Sequence, residues 1–359
     1  MKNFRLLKCS RQVTEYSCGA SALRSVLSYW GKEVDEHELM KLMGTTEEEG
    51  TYPENLVNAA RALGFDVEGR QDLTLDEVKK FTDAGHPMIA LGQVWRSQSM
   101  AAAKSLEDEW DAGHYIVVLG VDENNVYYQD PYARMCKAFL PRKLFEAHWH
   151  QVMGGDLKRN PKLYHVGIFV RGKQPAPVSL AEEVNAAALD FTKLGSLNLM
   201  VTRFPGLAYP IDIMEQLKGL LDRQNVRPNA FIFLAKTKDD ELFCMEGSGL
   251  TEDADAAEIN AVVTAITSRM VEKQDKAATA ASMEAAVKAA AQGDFGLSHA
   301  GLQAIGSKLA PGHSALIVLF ENLWERKYRD LVGKLGGTVT NQRLITAEAL
   351  EKTAKELIA

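Results

Sequence analysis

A helical repeat begins at a cysteine. Behind Cys18 the apolar residues Ala22, Leu23, Val26, Leu27 and Trp30 recur at intervals of three and four, the spacing that lines one face of a helix. The pattern fixes the helix, its buried face and the place of Cys18 in its first turn. There the unpaired backbone N–H groups and the helix dipole favour an anion, so a thiolate is at home. Six residues upstream, Gln12 offers a neutral side-chain amide that can donate to an oxyanion beside that sulfur. Most free cysteines are simply small buried hydrophobes. A nucleophile therefore needs partners elsewhere in the chain.

A cysteine nucleophile requires a base that later serves as an acid, and a third group to hold that base. His114 stands at the start of the apolar run Tyr115-Ile116-Val117-Val118-Leu119. Asp130 follows a second run, Val126-Tyr127-Tyr128, in Gln129-Asp130-Pro131. Asp122-Glu123-Asn124-Asn125 between the runs has turn composition, so the two read as a hairpin. Residues 114 and 130 are centred on residue 122, which brings His114 and Asp130 close to opposite one another. A strand-end histidine and a turn aspartate are each common alone. Their arrival in order with Cys18 and Gln12 favours catalysis.

The chain has 359 residues, room for two domains with cores of their own. In the first half, Asp35 caps a helix with Glu38 three residues on, Pro53 opens a helix over 54–63, and Thr74 with Glu77 forms a capping box for a helix to about Ala84. Strands follow at 88–91, 115–119, 126–128 and 165–170, an α+β layout. The polar stretch 95–112, with Trp95, Arg96 and Trp110, is positioned to flank His114 and shape a cleft. Two prolines in Pro175-Ala176-Pro177 mark a linker. The division expected is 1–172, a linker over 173–194, and a second domain over 195–359. In that second half, strands at 197–204, 230–235, 242–245, 316–320 and 339–345 and helices at 211–224 and 323–334 suggest a ferredoxin-like β-α-β-β-α-β order. An Ala-rich helical insertion occupies 254–292. Its small side chains permit close helix contacts, which makes this half the expected seat of self-association or partner docking.

Several function classes are excluded. A formal charge of −7 without a dense Lys/Arg stripe argues against nucleic acid as a partner. Four scattered cysteines (Cys9, Cys18, Cys136, Cys244) make neither a disulfide framework nor a zinc site. No phosphate-cradling loop, secretory signal or membrane-length apolar run is present, and a reducing cytoplasm is the simplest compartment. His148 and His150 would share a strand face but lack a third ligand, so no metal and no cofactor are expected. Gly154-Gly155 and Gly336-Gly337 read as local turns, and His299, His313 and Glu321 as structural residues.

Gln12-x5-Cys18-Gly19-Ala20, Gly113-His114-Tyr115-Ile116-Val117-Val118 and Gln129-Asp130-Pro131-Tyr132 together resemble the papain-like cysteine peptidases that remove double-glycine leaders from bacteriocin precursors. The likeness covers roughly residues 5–170. It is closer still to stand-alone bacterial relatives, in which a Trp-His pair recurs after the Asp-Pro strand, as Trp149-His150 does here. The resemblance implies a papain-like domain that hydrolyses a peptide or protein, with Cys18 as nucleophile, His114 as base and acid, Asp130 as orienter and Gln12 as oxyanion donor. Unlike the exporters, this sequence shows no membrane or ATPase portion, which leaves the substrate open. Some relatives bind peptides without turnover, usually with a broken triad; every member is present here. A thiol-dependent amidase or acyltransferase is a third reading. The second half, through Arg203-Phe204-Pro205-Gly206, Pro311-Gly312-His313-Ser314-Ala315-Leu316 and Glu321-Asn322-Leu323-Trp324, resembles a family of small uncharacterised bacterial domains with no assigned activity.

Overall fold

The structure is a computed structural model. It describes residues 12–93, 112–132, 135–153, 160–175, 195–207, 226–248 and 299–338, together with Leu7, Trp110 and Ile213. The first half opens with helices α1 (Cys18–Tyr29), α2 (Glu36–Met43) and α3 (Pro53–Ala62). Strand β1 (Asp66–Arg70), helix α4 (Leu75–Asp83) and strands β2 (Met88–Gln93), β3 (Gly113–Val121), β4 (Asn125–Asp130) and β5 (Met135–Pro141) follow. Helix α5 (Arg142–His148) and strands β6 (His150–Val152), β7 (Lys162–Tyr164) and β8 (Val166–Arg171) complete it.

The helix ends obey the capping signals. Asp35 accepts from the His37 and Glu38 N–H groups at the start of α2, and Gly44 closes that helix at φ 61°. Pro53 occupies the first turn of α3. Thr74 and Glu77 exchange both bonds of the capping box at α4. On α1 the residues Ala22, Leu23, Val26 and Leu27 are almost wholly buried, and the first-turn residues Gly19, Ala20 and Ser21 are buried as well. This helix is enclosed by its neighbours and the sheet. A Cβ at Gly19 would stand 3.1 Å from the Thr51 Cβ and the Tyr115 ring, so a larger residue there would have to push them aside by a few tenths of an ångström.

Strands β1, β8, β2, β3, β4 and β5 lie side by side in that order, every pairing antiparallel. Both faces are covered. Ile89, Leu91, Tyr115, Val117, Leu119, Ile168 and Val170 pack with α1, α2 and α3. Met88, Ala90, Val118, Tyr128 and Phe169 pack on the opposite side with α4, Phe145 and Trp149. Burial on both faces is why these strands read as continuous apolar runs and not as alternating ones.

The second half contributes β9 (Leu197–Pro205), β10 (Val226–Lys236), β11 (Leu242–Ser248), helix α6 (His299–Gly306), β12 (His313–Asn322) and helix α7 (Leu323–Lys334). Its described strands run β11-β10-β12-β9, all antiparallel. The helices expected at 211–224 and 254–292 and the strand expected at 339–345 lie outside the described residues, save Ile213. These strands add to the first sheet instead of forming one of their own. Strand β11 pairs with β5 through Cys244↔Phe139, Met245↔Ala138 and Glu246↔Lys137, so one ten-stranded sheet spans both halves. Phe231, Phe233, Phe243, Leu316 and Phe320 share an apolar cluster with Tyr128, Ala138 and Leu140. Each half was expected to bury a separate core; among the described residues the core is shared across β5 and β11. No helix among the described residues is long and apolar enough to cross a membrane.

Candidate active site

The Cys18 end of the site is built by the turn before α1. The Gln12 N–H donates to the Pro131 carbonyl (3.0 Å), which fastens this turn to the segment just after Asp130. The Gln12 side chain is buried, and its Nε2 donates to the Thr14 carbonyl (2.9 Å). One amide proton is thus used within the turn and the second remains for another acceptor. The Gln12 Oε1 is buried and meets no hydrogen-bond partner among the described residues. Ser17 stands at the cap position of α1, yet its side chain makes no cap bond. Its hydroxyl accepts from the Thr14 N–H (3.0 Å) and lies 2.8 Å from the Glu36 carboxylate.

The His114 end comes from the hairpin. Asp122 Oδ1 accepts from the Asn124 and Asn125 N–H groups, which forms the turn. The register places Val117 opposite Gln129, and a bulge between Val118 and Gly120 shifts it by one towards the turn. That register leaves His114 and Asp130 on a diagonal, not directly opposite, and there their side chains meet: Nε2 and Oδ1 are 2.6 Å apart, with both side chains almost fully buried. Asp130 Oδ1 also accepts from the Tyr132 N–H (2.8 Å). Cys18 is the other group that acts electrostatically on the His114 ring. Burial alone would lower the His114 pKa, but the Asp130 carboxylate and the Cys18 sulfur outweigh it and raise the pKa to about 10. Gln12, Cys18, His114 and Asp130 are therefore brought into one neighbourhood. Such an arrangement can hold an imidazolium beside a sulfur nucleophile.

Comparison with known proteins covers this same region. The Peptidase C39 family profile matches residues 7–153. Over 147 residues the chain is 31% identical to the lactococcin transport/processing ATP-binding protein LcnC-like of Lactococcus lactis, covering 41% of this chain and 18% of that protein. Over 121 residues it is 32% identical to an uncharacterised protein of Methanothermobacter marburgensis, covering 34% of this chain and 69% of that protein. The chain belongs to the peptidase C39 family. The peptidase domain of Streptococcus ComA, described as a bi-functional ABC transporter involved in a quorum sensing pathway, is a structural neighbour at 22% identity and a TM-score of 0.34. That likeness covers 47% of this chain and 99% of the domain.

Other residues support the C39 site without having stood out in the sequence. Gln93 ends β2 and is buried; its Nε2 donates to the His150 carbonyl (3.0 Å) and Gln151 Oε1 (2.7 Å). Its Oε1 accepts from the Ala112 N–H (3.0 Å), which fixes the approach to His114. Tyr115, next to His114, donates to the Thr51 carbonyl (2.9 Å), and burial first, then Cys18 and Glu54, holds its hydroxyl pKa well above normal. Glu36 is almost fully buried behind the Gln12–Cys18 turn. It follows the capping Asp35, where an acidic residue reads as one more dipole partner, so only packing shows its role. Of the polar stretch before His114, Trp110 is described. It is buried against His150 (4.4 Å between ring centroids) and Tyr164 (5.7 Å), with Lys162 Nζ 4.7 Å over its ring. Trp95 and Arg96 lie outside the described residues.

The remaining polar residues fall where structure alone needs them. His148 ends α5 and His150 begins β6, so they do not share one strand. Between them Trp149 is buried, stacked on His165 (4.8 Å) and donating from Nε1 to the Val166 carbonyl (2.9 Å). Among the described residues no group of three potential ligands could hold a metal ion. His313 is exposed, with Nδ1 3.1 Å from the Pro311 carbonyl, and Glu321 accepts from the Gly195 N–H (2.8 Å). Gly336 has a φ of 76° and ends α7, while Gly154 and Gly155 lie outside the described residues.

Proposed function

We propose that this chain hydrolyses peptide bonds by thiol acyl transfer. Cys18 is the nucleophile, His114 the general base and acid, Asp130 the orienter of the imidazole and Gln12 a donor to the oxyanion. The observation that carries this reading is the buried 2.6 Å bond between His114 and Asp130, with Cys18 close enough to act on the same ring. In the first step the Cys18 sulfur attacks the substrate carbonyl carbon. The oxygen takes up negative charge in front of the first-turn N–H groups of α1 and the free Gln12 amide proton. His114 then gives its proton to the leaving amine, leaving a thioester on Cys18. Water attacks that thioester while His114 takes the proton, which releases the acid product and restores the pair. A donor to the oxyanion is typically worth about 10²–10³ in kcat.

The substrate class proposed is a peptide with a Gly-Gly pair before the cut. Support comes from family membership and from the transport/processing names of the exporters this chain partly matches. For the second half we propose assembly of the chain with a second copy. Supporting this, Trp324, Tyr328, Leu331 and Leu335 on and just beyond α7 are exposed at helical spacing. The enzymatic reading is tested by labelling with a thiol probe, followed by a peptide-library digest with Cys18→Ala as control. Cuts that vanish in the variant support it. A labelled Cys18 with an intact library would favour a peptide-binding module.

A further inference from the structure

We propose that Glu36 is a positioning residue for the Gln12–Cys18 turn, a role that rests on the peptidase reading above. Its side chain is 1% exposed. A carboxyl group that deep is costly without partners, and among the described residues its Oε2 makes no hydrogen bond, so Oε1 carries the contacts. Oε1 accepts from the Val13 N–H (2.9 Å) and from the Ser17 hydroxyl (2.8 Å), while Oε2 is 3.7 Å from Arg24 Nη1 on α1. Glu36 is not needed to cap its own helix, because Asp35 does that. Instead one oxygen grips the residue after Gln12 and the residue before Cys18.

The effect reaches both functional side chains. The Ser17 hydroxyl carries one proton and has two acceptors in reach, Glu36 Oε1 at 2.8 Å and the Thr14 carbonyl at 3.2 Å. A charged acceptor wins that competition. Ser17 is thereby turned away from the end of α1 and leaves its first-turn N–H groups uncovered by a cap bond. The Thr14 carbonyl, less engaged by the Ser17 hydroxyl though still accepting from the Ser17 N–H (3.5 Å), receives Gln12 Nε2 (2.9 Å). Glu36 thus sets the place of Cys18 relative to His114, and the aim of Gln12, without touching either.

The test is the rate of Cys18 alkylation by iodoacetamide as a function of pH, on the full chain, with residual structure followed by circular dichroism. This readout needs no substrate. Loss of the grip lets the sulfur drift from His114, so Glu36→Ala is expected to slow alkylation at pH 7 by about tenfold or more. Its profile should rejoin that of the wild type near pH 10, where a thiol ionises unaided. Glu36→Gln, which keeps an acceptor in place, should stay within about threefold. A folded Glu36→Ala protein whose profile superimposes on the wild type would overturn the proposal. Should Glu36→Ala not fold, Ser17→Ala decides by the same criterion. A wild-type chain that alkylates rapidly yet cleaves no peptide would defeat the peptidase reading and leave the Glu36 profile still decisive for this one.

Discussion

His114 Nε2 lies 2.6 Å from Asp130 Oδ1; both side chains are buried, and one hairpin supplies both residues. Asp130 is itself fixed by the Tyr132 N–H, so the ring is oriented by a group that cannot swing away. Cys18 is the second group that acts on this imidazole. The division of labour proposed for the site follows from that geometry.

Cys18 is partly exposed and beside a charged ring, whereas Cys244 is buried in the sheet. Iodoacetamide at neutral pH is therefore expected to modify Cys18 well before Cys9, Cys136 or Cys244, read by peptide mass spectrometry. Equal labelling of all four thiols in the folded chain would argue against an activated sulfur.

Substitutions at the base should separate chemistry from orientation. Asp130→Asn keeps an oxygen for His114 and for the Tyr132 N–H, so we expect about a tenfold loss of kcat. His114→Ala removes the proton carrier and should cost about 10²–10⁴. Gln12→Ala should lower kcat with little change in KM, because its bond forms in the transition state. An unchanged kcat would remove Gln12 from the oxyanion role.

The raised His114 pKa also predicts how stability depends on pH. The folded value, about 10, lies above the ordinary 6.5, so the folded state holds this proton more tightly than the unfolded chain. The contribution is complete below about pH 6.5 and is lost as pH rises towards 10. Melting temperatures measured from pH 6 to 10 should fall more steeply for wild type than for His114→Gln. Parallel curves would show that the pair adds no such linkage.

Much of this was legible in the sequence, for identifiable reasons. Cys18, the caps at Asp35, Pro53 and Thr74, and the 115–128 hairpin are set by local chemistry within a few residues. The hairpin that carries His114 and Asp130 has a register shift at Val118/Gly120, which no composition signals. Strand β1 was missed because Asp66-Val67-Glu68-Gly69-Arg70 lies on an edge, with only Val67 buried. Glu36 and Gln93 act across gaps of 19 to 58 residues, beyond any short pattern. The pairing of β5 with β11 is the largest such case. Nothing in either strand names the other as its neighbour.

That pairing bears on the proposed boundary near residue 172. A chain ending there leaves the β5 edge open and uncovers Ala138 and Leu140, which Phe231, Phe233 and Leu316 otherwise help to bury. We expect such a chain to keep the Cys18 helix and the hairpin but to melt at a lower temperature and to self-associate through the open edge. A truncated form as stable and as monomeric as the full chain would show that the halves fold independently. Sedimentation of the full chain, with Trp324→Glu and Leu331→Glu on α7, tests whether that face joins two copies. Unchanged association in both variants would rule the face out.

The central claim is that Cys18 carries the acyl group. The most direct test mixes the full chain with a peptide containing an internal Gly-Gly pair, quenches at short times and measures intact mass. The account predicts a transient adduct equal to the acyl product, located on Cys18, decaying as that product appears and absent in Cys18→Ala. An intact peptide with no adduct on Cys18, from a folded chain whose Cys18 still reacts with iodoacetamide, would contradict it.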